Sequence, residues 1–512
     1  MKLEIKNSTF KIQPIIFAFF LLSFAFLVAS AQTETPPAPS APRPLQVPEI
    51  KSKTLANGLQ VVSVERKNVP LVTVTLMIES GANAEGEKQS GLADMTASLL
   101  TKGTTTRTAT QIAEQAEFLG ADLNAGADWN SSQVSINVTS DKLEDAMAIL
   151  YDVATNPVFE QKEIALYKKQ TLDDLNVALK QPGSLASFVA SRYSFGEHPA
   201  IGTPDSINQI TRADILHFYR FHYSPKNAVL IFTGDISDDK AQNVADRYFK
   251  YWKNQEPIAE RNKTLIIENS PRNNSQSSNV FNRILVVDLP NSGQAAVTYA
   301  NKLYVGRTAP PYFPAVVANA VLGGGYSARL NEEIRIKRGL SYGAGSNLAW
   351  RASNGNFFAS AQTKNVSAAQ VAELMAQEIF KLTTENVADD ELKPRKATLI
   401  GTFGRNLETT NGLSEQVKAI YLFGLDKNSL NNLTPRVETV SDQMIKNFAA
   451  ANLKGGDIII VGDYAKFKDD LAKRFPNQKI EVIPASQLDL NRDDLKKQTK
   501  TIVKSKSKGK KK

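Results

Sequence analysis

The sequence predicts an α+β protein of two homologous halves, each a mostly antiparallel sheet with helices packed on one face. The chain has 512 residues, too many for a single core. Strand-like alternating segments are interleaved with helical ones. One strand-like phrase, VLIFTGD, recurs as IIIVGD, and its final residues, Asp235 and Asp463, lie 228 positions apart. Together these observations indicate an internal duplication.

Two helical landmarks keep the same offset. Met147 corresponds to Met375, and Glu163 to Glu391, each within a segment of helical pattern. Chance similarity between helices would not place three landmarks at one offset. Two halves of about 220 residues, with the same order of elements, are therefore expected.

The elements of the first half are assigned from hydrophobic periodicity in chain order. Alternation over 58–65 and 71–79 predicts two paired strands, and residues 91–100 and 110–119 have helical patterns. Residues 122–138 predict two more strands. Longer helical stretches follow at 143–155 and 161–180.

The N-terminus has the pattern of a secretory signal. Three lysines precede an apolar run over 15–28, and Ala29, Ser30 and Ala31 form a small-x-small cleavage signature. We expect residues 1–31 to be a cleaved signal peptide and the protein to be periplasmic or otherwise exported. An uncleaved anchor is the alternative, although this run is short for a bilayer span.

Composition suggests boundaries for the remaining regions. A Pro/Ala-rich tether and a polar segment rich in Asn and Ser interrupt the periodic pattern. The expected regions are a tether over 32–46, a first domain over 47–253, a linker over 254–291, a second domain over 292–485 and a Lys-rich disordered tail over 486–512.

Charge and cysteine content exclude several classes of function. The net charge is +9, but residues 496–512 contain nine lysines and no acid, so the rest of the chain is neutral. The body is therefore not a nucleic-acid surface. We expect a solvated tail, with contact to an anionic surface as the alternative. Because the chain has no cysteine, disulfides, thiolate metal sites and thiol nucleophiles are excluded, which fits a bacterial periplasm.

Two segments carry the chemistry. Residues 90–104, SGLADMTASLLTKGT, predict an amphipathic helix that runs into a Gly-Thr exit, with Asp94, Ala97 and Ser98 in its frame. Residues 330–342, LNEEIRIKRGLSY, place Arg335 and Tyr342 seven positions apart. From the residues alone, Arg335 is a cation near a helix C-terminus, favoured by the helix dipole, and Tyr342 begins a strand.

Both segments resemble signatures of the pitrilysin/insulinase family of metallopeptidases, and the resemblance extends from about residue 50 to 471. It includes the phrases FGEHPA, ITRADI and YSPKNA in the family's order and spacing. In that family the first segment carries His-x-x-Glu-His, in which two His bind zinc and the Glu activates water. Here Asp94, Ala97 and Ser98 stand at those positions, so the zinc motif is degenerate.

The resemblance implies that Arg335 and Tyr342 bind the substrate opposite the zinc. A third zinc ligand would fall near Asp173 or Asp174, but carboxylates without imidazole would hold a transition metal weakly. We therefore expect no metal or other cofactor in this chain, and zinc in a partner subunit.

The other candidate residues are given structural roles. His198, His217 and His222 are not spaced as a metal site, and no catalytic triad is discernible. The Gly-rich phrase 323–330 lacks the Gly-Lys-Ser/Thr ending of a phosphate loop. Within the resemblance it is the turn that opens the helix of Arg335.

The leading hypothesis is a zinc-free subunit of a heteromeric periplasmic metallopeptidase that degrades or processes peptides, inactive alone. Two-chain members of the family divide zinc and Arg-Tyr between their polypeptides, and in them the duplicated halves close like a clamshell around a peptide. The expected partner is a sister subunit bearing His-x-x-Glu-His. The alternative is a catalytically inactive scaffold or peptide-binding homologue.

Overall fold

The computed structural model describes residues 46–253 and 281–498, which form two six-stranded sheets flanked by helices. The α+β class with two homologous halves is confirmed. The strands are β1 Lys51–Thr54, β2 Gln60–Glu65, β3 Leu71–Ile78, β4 Asp122–Ala127, β5 Ser132–Thr139, β6 Ala228–Gly234, β7 Phe281–Asp288, β8 Ala295–Leu303, β9 Ser341–Trp350, β10 Gly355–Thr363, β11 Gly456–Gly462 and β12 Ile480–Pro484.

Sixteen helices are distinguished within those residues, apart from short 3₁₀ turns. The helices are α1 Leu92–Leu99, α2 Ala109–Phe118, α3 Leu143–Thr155, α4 Gln161–Ala178, α5 Pro182–Tyr193, α6 Pro204–Gln209, α7 Arg212–His222, α8 Asp238–Phe249, α9 Tyr312–Leu322, α10 Arg329–Asn331 with its π-helical continuation Glu332–Ile336, α11 Ala368–Thr384, α12 Asp389–Glu408, α13 Thr410–Phe423, α14 Leu433–Glu438, α15 Asp442–Asn452 and α16 Lys468–Arg474.

The two sheets have the same internal strand order. The first runs β1-β2-β6-β3-β5-β4 and the second β12-β7-β11-β8-β10-β9. In both, one interior pair is parallel, β2 with β6 and β7 with β11, and the next three pairs are antiparallel. β6 and β11 begin and end 228 residues apart, so the recurring phrase marks the equivalent central strand of each sheet.

Each half has its own hydrophobic core on the helical side of its sheet. Met147 of α3 and Met375 of α11 are both buried there, as their equivalent positions in the duplication require. The stripe of apolar residues along each helix faces its sheet and gives the amphipathic pattern. No helix in the described part of the chain is long and apolar enough to cross a membrane.

On the other face of each sheet lies a helix from the opposite half. α5 of the first half packs against β8 and β11, whereas α13 of the second half packs against β3 and β6. We call the α13 contact with the first sheet the closed interface and the α5 contact with the second sheet the open interface. This exchange joins the described residues of the two halves into one compact unit.

The second half begins earlier than predicted, because β7 lies inside the expected linker. Its apolar run from Ile284 to Val287 pairs in parallel with both β11 and β12, and each of these four residues is fully buried. A strand buried on both faces has a continuous apolar run rather than alternation, so the neighbouring polar patch obscured it. Residues 254–280 of the expected linker lie outside the described residues.

The chain also stays ordered beyond the predicted start of the tail. A bridge pairs Leu488 with Lys496, and the side chains of Leu490 and Leu495 are buried against the first-half core. Lys496 makes an ion pair with Glu481 of β12. Composition set the boundary too early because the two anchoring leucines are isolated among charged residues. The expected signal peptide, most of the tether and residues 499–512 lie outside the described residues.

Candidate functional site

Helix α1, which carries the degenerate zinc motif, is fixed at its N-terminus. Gly91 has φ +91°, and a Cβ there would lie 2.8 Å from Ile207 Cδ1, so only glycine fits the entry. The buried carboxylate of Glu85 accepts hydrogen bonds from the Gly91 N–H at 3.0 Å and the Ala93 N–H at 2.7 Å. Burial raises the pKa of Glu85 to about 8, although both N–H donors act in the opposite direction.

Two of the three motif positions, Asp94 and Ser98, belong to a hydrogen-bonded cluster around Tyr167. Asp94 accepts from the Tyr167 hydroxyl at 2.8 Å and from the Ala127 N–H at 3.2 Å. Ser98 hydrogen-bonds to the same tyrosine, and Ala97 is fully buried. Burial, helped by the charge of Asp94, raises the pKa of Tyr167 to about 12, so its hydroxyl stays a donor.

Zinc does not fit this cluster. Asp173 and Asp174, on α4 near the predicted third-ligand position, are exposed, while Tyr167 and Thr171 occupy the inward face four residues apart. Asp94 thus stands without a second strong ligand. Within residues 46–253 and 281–498, no group of three or more His, Cys, Asp or Glu side chains is arranged to hold a metal ion.

Arg335 lies in the π-helical turn Glu332–Ile336, where its guanidinium stacks over the ring of Tyr326 at 5.0 Å. The two cations beside it share one anion: Lys337 and Arg338 both make ion pairs with Glu333. Arg335 makes no ion pair with any residue of the described ranges. Its charge therefore remains available, and π-helical turns are frequent at functional sites.

Tyr342 lies in a β-bulge on β9, the edge strand of the second sheet. Ala361 pairs with Ala344 and Thr363 with Ser341, so Tyr342 and its neighbour Gly343 oppose a single residue. The Ser341 hydroxyl donates to the Gly343 carbonyl at 2.6 Å and supports the bulge. Bulges redirect side chains, and Tyr342 is 89% exposed.

A cleft of about 740 Å³ lies beside Tyr342, at the open interface between α5 and the second sheet. Its lining residues are Gly183, Ser184, Ser187, Ala190, Ser191, Phe195, Gln294, Ala296, Thr298, Ser341, Tyr342, Gly343, Phe358, Ser360, Ala361 and Gln362. A cleft of this size can hold a small ligand or a short stretch of peptide. Arg335 is not among the lining residues.

The histidines and the Gly-rich turn lie in other surroundings. His198 Nδ1 is 3.5 Å from the Glu85 carboxylate, and burial lowers the pKa of this imidazole. His222 hydrogen-bonds to Ser80. The ring of His217 stacks on that of Phe221, with centroids 6.1 Å apart. A Cβ at Gly323 would lie 2.2 Å from the Ser346 nitrogen, so this turn packs against β9.

Sequence reasoning missed two features of the site. Tyr167 and Thr171 were not singled out, although their spacing with buried Leu175 marks the inward face of α4. The cleft was missed because it forms between residues more than 100 positions apart. Comparing the small residues of α5 with their counterparts in the repeat, α13, would have indicated it.

Comparisons with known proteins agree with the duplicated fold. A family model described as insulinase (peptidase family M16) matches residues 60–192, and a second, described as the peptidase M16 inactive domain, matches residues 209–399. An uncharacterized zinc protease of Streptomyces coelicolor is 23% identical over 405 residues, 78% of this chain and 86% of the relative. One from Rickettsia felis is 27% identical over 350 residues, 67% of this chain and 81% of the relative.

Solved structures support the same architecture. A peptidase M16 inactive domain from Pseudomonas fluorescens matches with a TM-score of 0.72 and 24% identity, covering 81% of this chain and 98% of that one. A protease from Helicobacter pylori matches with a TM-score of 0.74 and 20% identity, covering 81% and 100%. Because both family models match and the sheets show the expected duplication, the chain belongs to the insulinase family of peptidases, M16.

Proposed function

We propose that this protein is the non-zinc-binding subunit of a heteromeric metallopeptidase, in which Arg335 and Tyr342 bind the peptide substrate. One observation carries the proposal: both residues lie at backbone irregularities. Arg335 stacks on Tyr326 but has no ion pair among the described residues, and Tyr342 is 89% exposed. A purely structural role would pair the guanidinium or pack the phenol. Relatives named zinc proteases and the match to an inactive-domain model support the same assignment.

The pair suits binding of a peptide carbonyl. A guanidinium and a phenol are hydrogen-bond donors, and a charge-assisted bond from Arg335 strengthens as negative charge develops on the carbonyl oxygen. Both residues therefore stabilise the transition state more than the bound substrate. Zinc and the water-activating Glu belong to the partner in this proposal, since the cluster around Asp94 cannot supply them.

The proposed partner is a sister chain of the same family with intact His-x-x-Glu-His. From the expected signal peptide, we propose that the assembly is periplasmic or otherwise exported. Cleavage of the signal peptide is tested by N-terminal sequencing of the mature protein; a sequence beginning at residue 32 supports export, and a retained first residue contradicts cleavage.

Reconstitution tests the proposal. This chain and a family member with an intact zinc motif, encoded in the same genome, are purified and mixed with a quenched fluorescent peptide. We expect cleavage only in the mixture, lost on metal chelation, together with co-elution of the chains. A partner that is fully active alone and does not bind this chain would contradict the two-chain assignment.

The second candidate is an inactive scaffold or peptide-binding homologue. It is favoured by the fold similarity to a chain of complex III2 from Candida albicans, which has a TM-score of 0.66 and 15% identity and covers 83% of this chain. In a scaffold the Arg335→Ala substitution leaves any reconstituted activity unchanged, whereas the peptidase-subunit proposal requires a loss.

A further inference from the structure

The duplication allows the open and closed interfaces to be compared position by position. The segments 182–196 and 410–424, which contain α5 and α13 and end at a glycine, share five residues at the offset of 228. The matching pairs are Leu185 and Leu413, Val189 and Val417, Tyr193 and Tyr421, Phe195 and Phe423, and Gly196 and Gly424. Both glycines have positive φ, but the helices end differently: Gly424 is the C-cap of α13, whereas α5 ends earlier with Ser194 as its C-cap.

Polar side chains fill the closed interface. Lys418 of α13 donates to Gln133 Oε1 at 2.8 Å. The hydroxyls of Ser414 and Thr75 hydrogen-bond at 2.9 Å and are buried. The helix thus lies directly on the first sheet, with its polar groups paired.

At the open interface the side chains of α5 at the corresponding positions are too small to do this. The strand registers make Phe358 the equivalent of Gln133, and opposite it Ala190 takes the place of Lys418. Elsewhere along α5, Gly183 and Ser187 stand where α13 has Asn411 and Glu415. The missing side-chain volume leaves the cleft of about 740 Å³.

The lining of the cleft defines what it accepts. No charged side chain is among the described residues that line it. Ala190, Ala296 and Phe358 supply apolar surface, and the amide groups of Gln294 and Gln362 supply neutral hydrogen-bond donors and acceptors. Such a lining favours uncharged, bulky groups and disfavours charged ones, which lose hydration without gaining a partner.

The cleft is continuous with the proposed substrate site, because Ser341, Tyr342 and Gly343 of the β-bulge form part of its lining. We propose that the cleft binds bulky uncharged side chains, aromatic or aliphatic, of the peptide whose backbone contacts Tyr342. This inference rests on the proposed function. It names the class of substrate that this chain selects.

Binding to the isolated full chain tests the inference by fluorescence anisotropy, without a partner. Three fluorescein-labelled octapeptides differ only at two central residues, which are Phe-Leu, Gly-Gly or Asp-Asp. We expect the Phe-Leu peptide to bind wild type at least tenfold more tightly than either of the others. Equal affinities for the three peptides would overturn the inference.

Two variants close the cleft in different ways. Ala190→Lys with Phe358→Gln copies the pair found at the closed interface, and Ser187→Leu adds volume at an exposed position that tolerates substitution. Both should reduce the preference for Phe-Leu to less than threefold. The matched control is Glu415→Leu, the equivalent of Ser187→Leu on α13, which should retain the preference. A folded Ser187→Leu chain with unchanged preference would overturn the inference.

The outcomes also separate the inference from the proposed function. Peptide preference without activity in the reconstituted mixture keeps the cleft and rejects the two-chain peptidase. Reconstituted activity with unchanged preference in the closed variants keeps the peptidase and rejects the cleft as its specificity site.

Discussion

The open and closed interfaces are built on the same frame but differ in what fills them. In both, a helix from one half lies across the sheet of the other, at equivalent positions of a 228-residue repeat. Lys418 and Ser414 close one interface through hydrogen bonds, whereas small residues of α5 leave the other open. The difference shows that side-chain volume, without a change in topology, separates a structural contact from a candidate binding surface.

The two halves differ in the same sense around the proposed site. In the first half, the helix that carries the degenerate motif is sealed by Glu85 and Tyr167. In the second half, Arg335 and Tyr342 project from a π-turn and a β-bulge. Four predictions test this division.

Restoring the zinc motif should damage the sealed half without creating an enzyme. Ala97→Glu places a carboxylate at a fully buried position, which we expect to cost about 3–5 kcal/mol of unfolding free energy. Denaturant unfolding measures this cost, with Ser98→His at the partly exposed neighbouring position as control. The triple variant Asp94→His, Ala97→Glu and Ser98→His should not cleave peptides, because the third ligand is missing. Zinc-dependent cleavage by that variant would contradict the conclusion that zinc does not fit the cluster around Asp94.

Removing either donor should affect turnover rather than folding. In the reconstituted pair, Arg335→Ala or Tyr342→Phe should lower kcat on the order of a hundredfold with little change in KM, because the donors act mainly in the transition state. Arg338→Ala is the matched control, since its guanidinium is already paired with Glu333. An equal loss in the control, or unchanged kcat in Arg335→Ala with assembly intact, would remove the catalytic role.

A matched pair of threonines compares the two interfaces directly. Thr75 hydrogen-bonds to Ser414 at the closed interface, whereas its equivalent, Thr298, lines the cleft opposite Ala186. Thr75→Ala should destabilise the protein by about 1–2 kcal/mol because it leaves a buried hydroxyl unpaired. Thr298→Ala, also at a buried position, should cost about 1 kcal/mol less than Thr75→Ala, because Ala186 opposite it has no hydroxyl to leave unpaired. Urea unfolding of both variants measures the difference, and equal losses would remove the distinction between the interfaces.

Glu85 should make the sealed half sensitive to pH. Burial raises its pKa from 4.5 to about 8, so the folded state holds a proton that the unfolded state releases between those values. Its contribution to stability is therefore present below pH 4.5 and is lost as the pH rises through 8, with a slope of at most about 1.4 kcal/mol per pH unit. Glu85→Gln should remove this part of the pH dependence of the unfolding free energy, because glutamine does not titrate. Thermal unfolding from pH 5 to pH 8 tests it, and parallel curves for the variant and wild type would contradict the raised pKa.

Much of the fold could be predicted from the sequence because its determinants are local or repeated. The alternation of β2 and β3, the helical period of α3 and the recurrence of the Gly-Asp strand end are visible without tertiary structure. Arg335 and Tyr342 were indicated by a motif with fixed spacing. β7 was missed because a strand buried on both faces lacks the alternation that identifies half-buried strands.

Long-range contacts decided the rest. The sequence by itself determined the duplication, the α+β class and the absence of His and Glu at positions 94, 97 and 98, since each depends only on residue identities and their spacing along the chain. Three features were decided only by the tertiary structure. Tyr167 hydrogen-bonds to Asp94, Arg335 has no ion pair among the described residues, and a cleft lies beside α5 at the open interface but not beside α13 at the closed interface. The first and third of these outcomes depend on contacts between side chains more than 70 residues apart in the sequence. Side-chain packing and hydrogen bonding at a long-range contact depend on both contacting segments, so neither segment alone determines them.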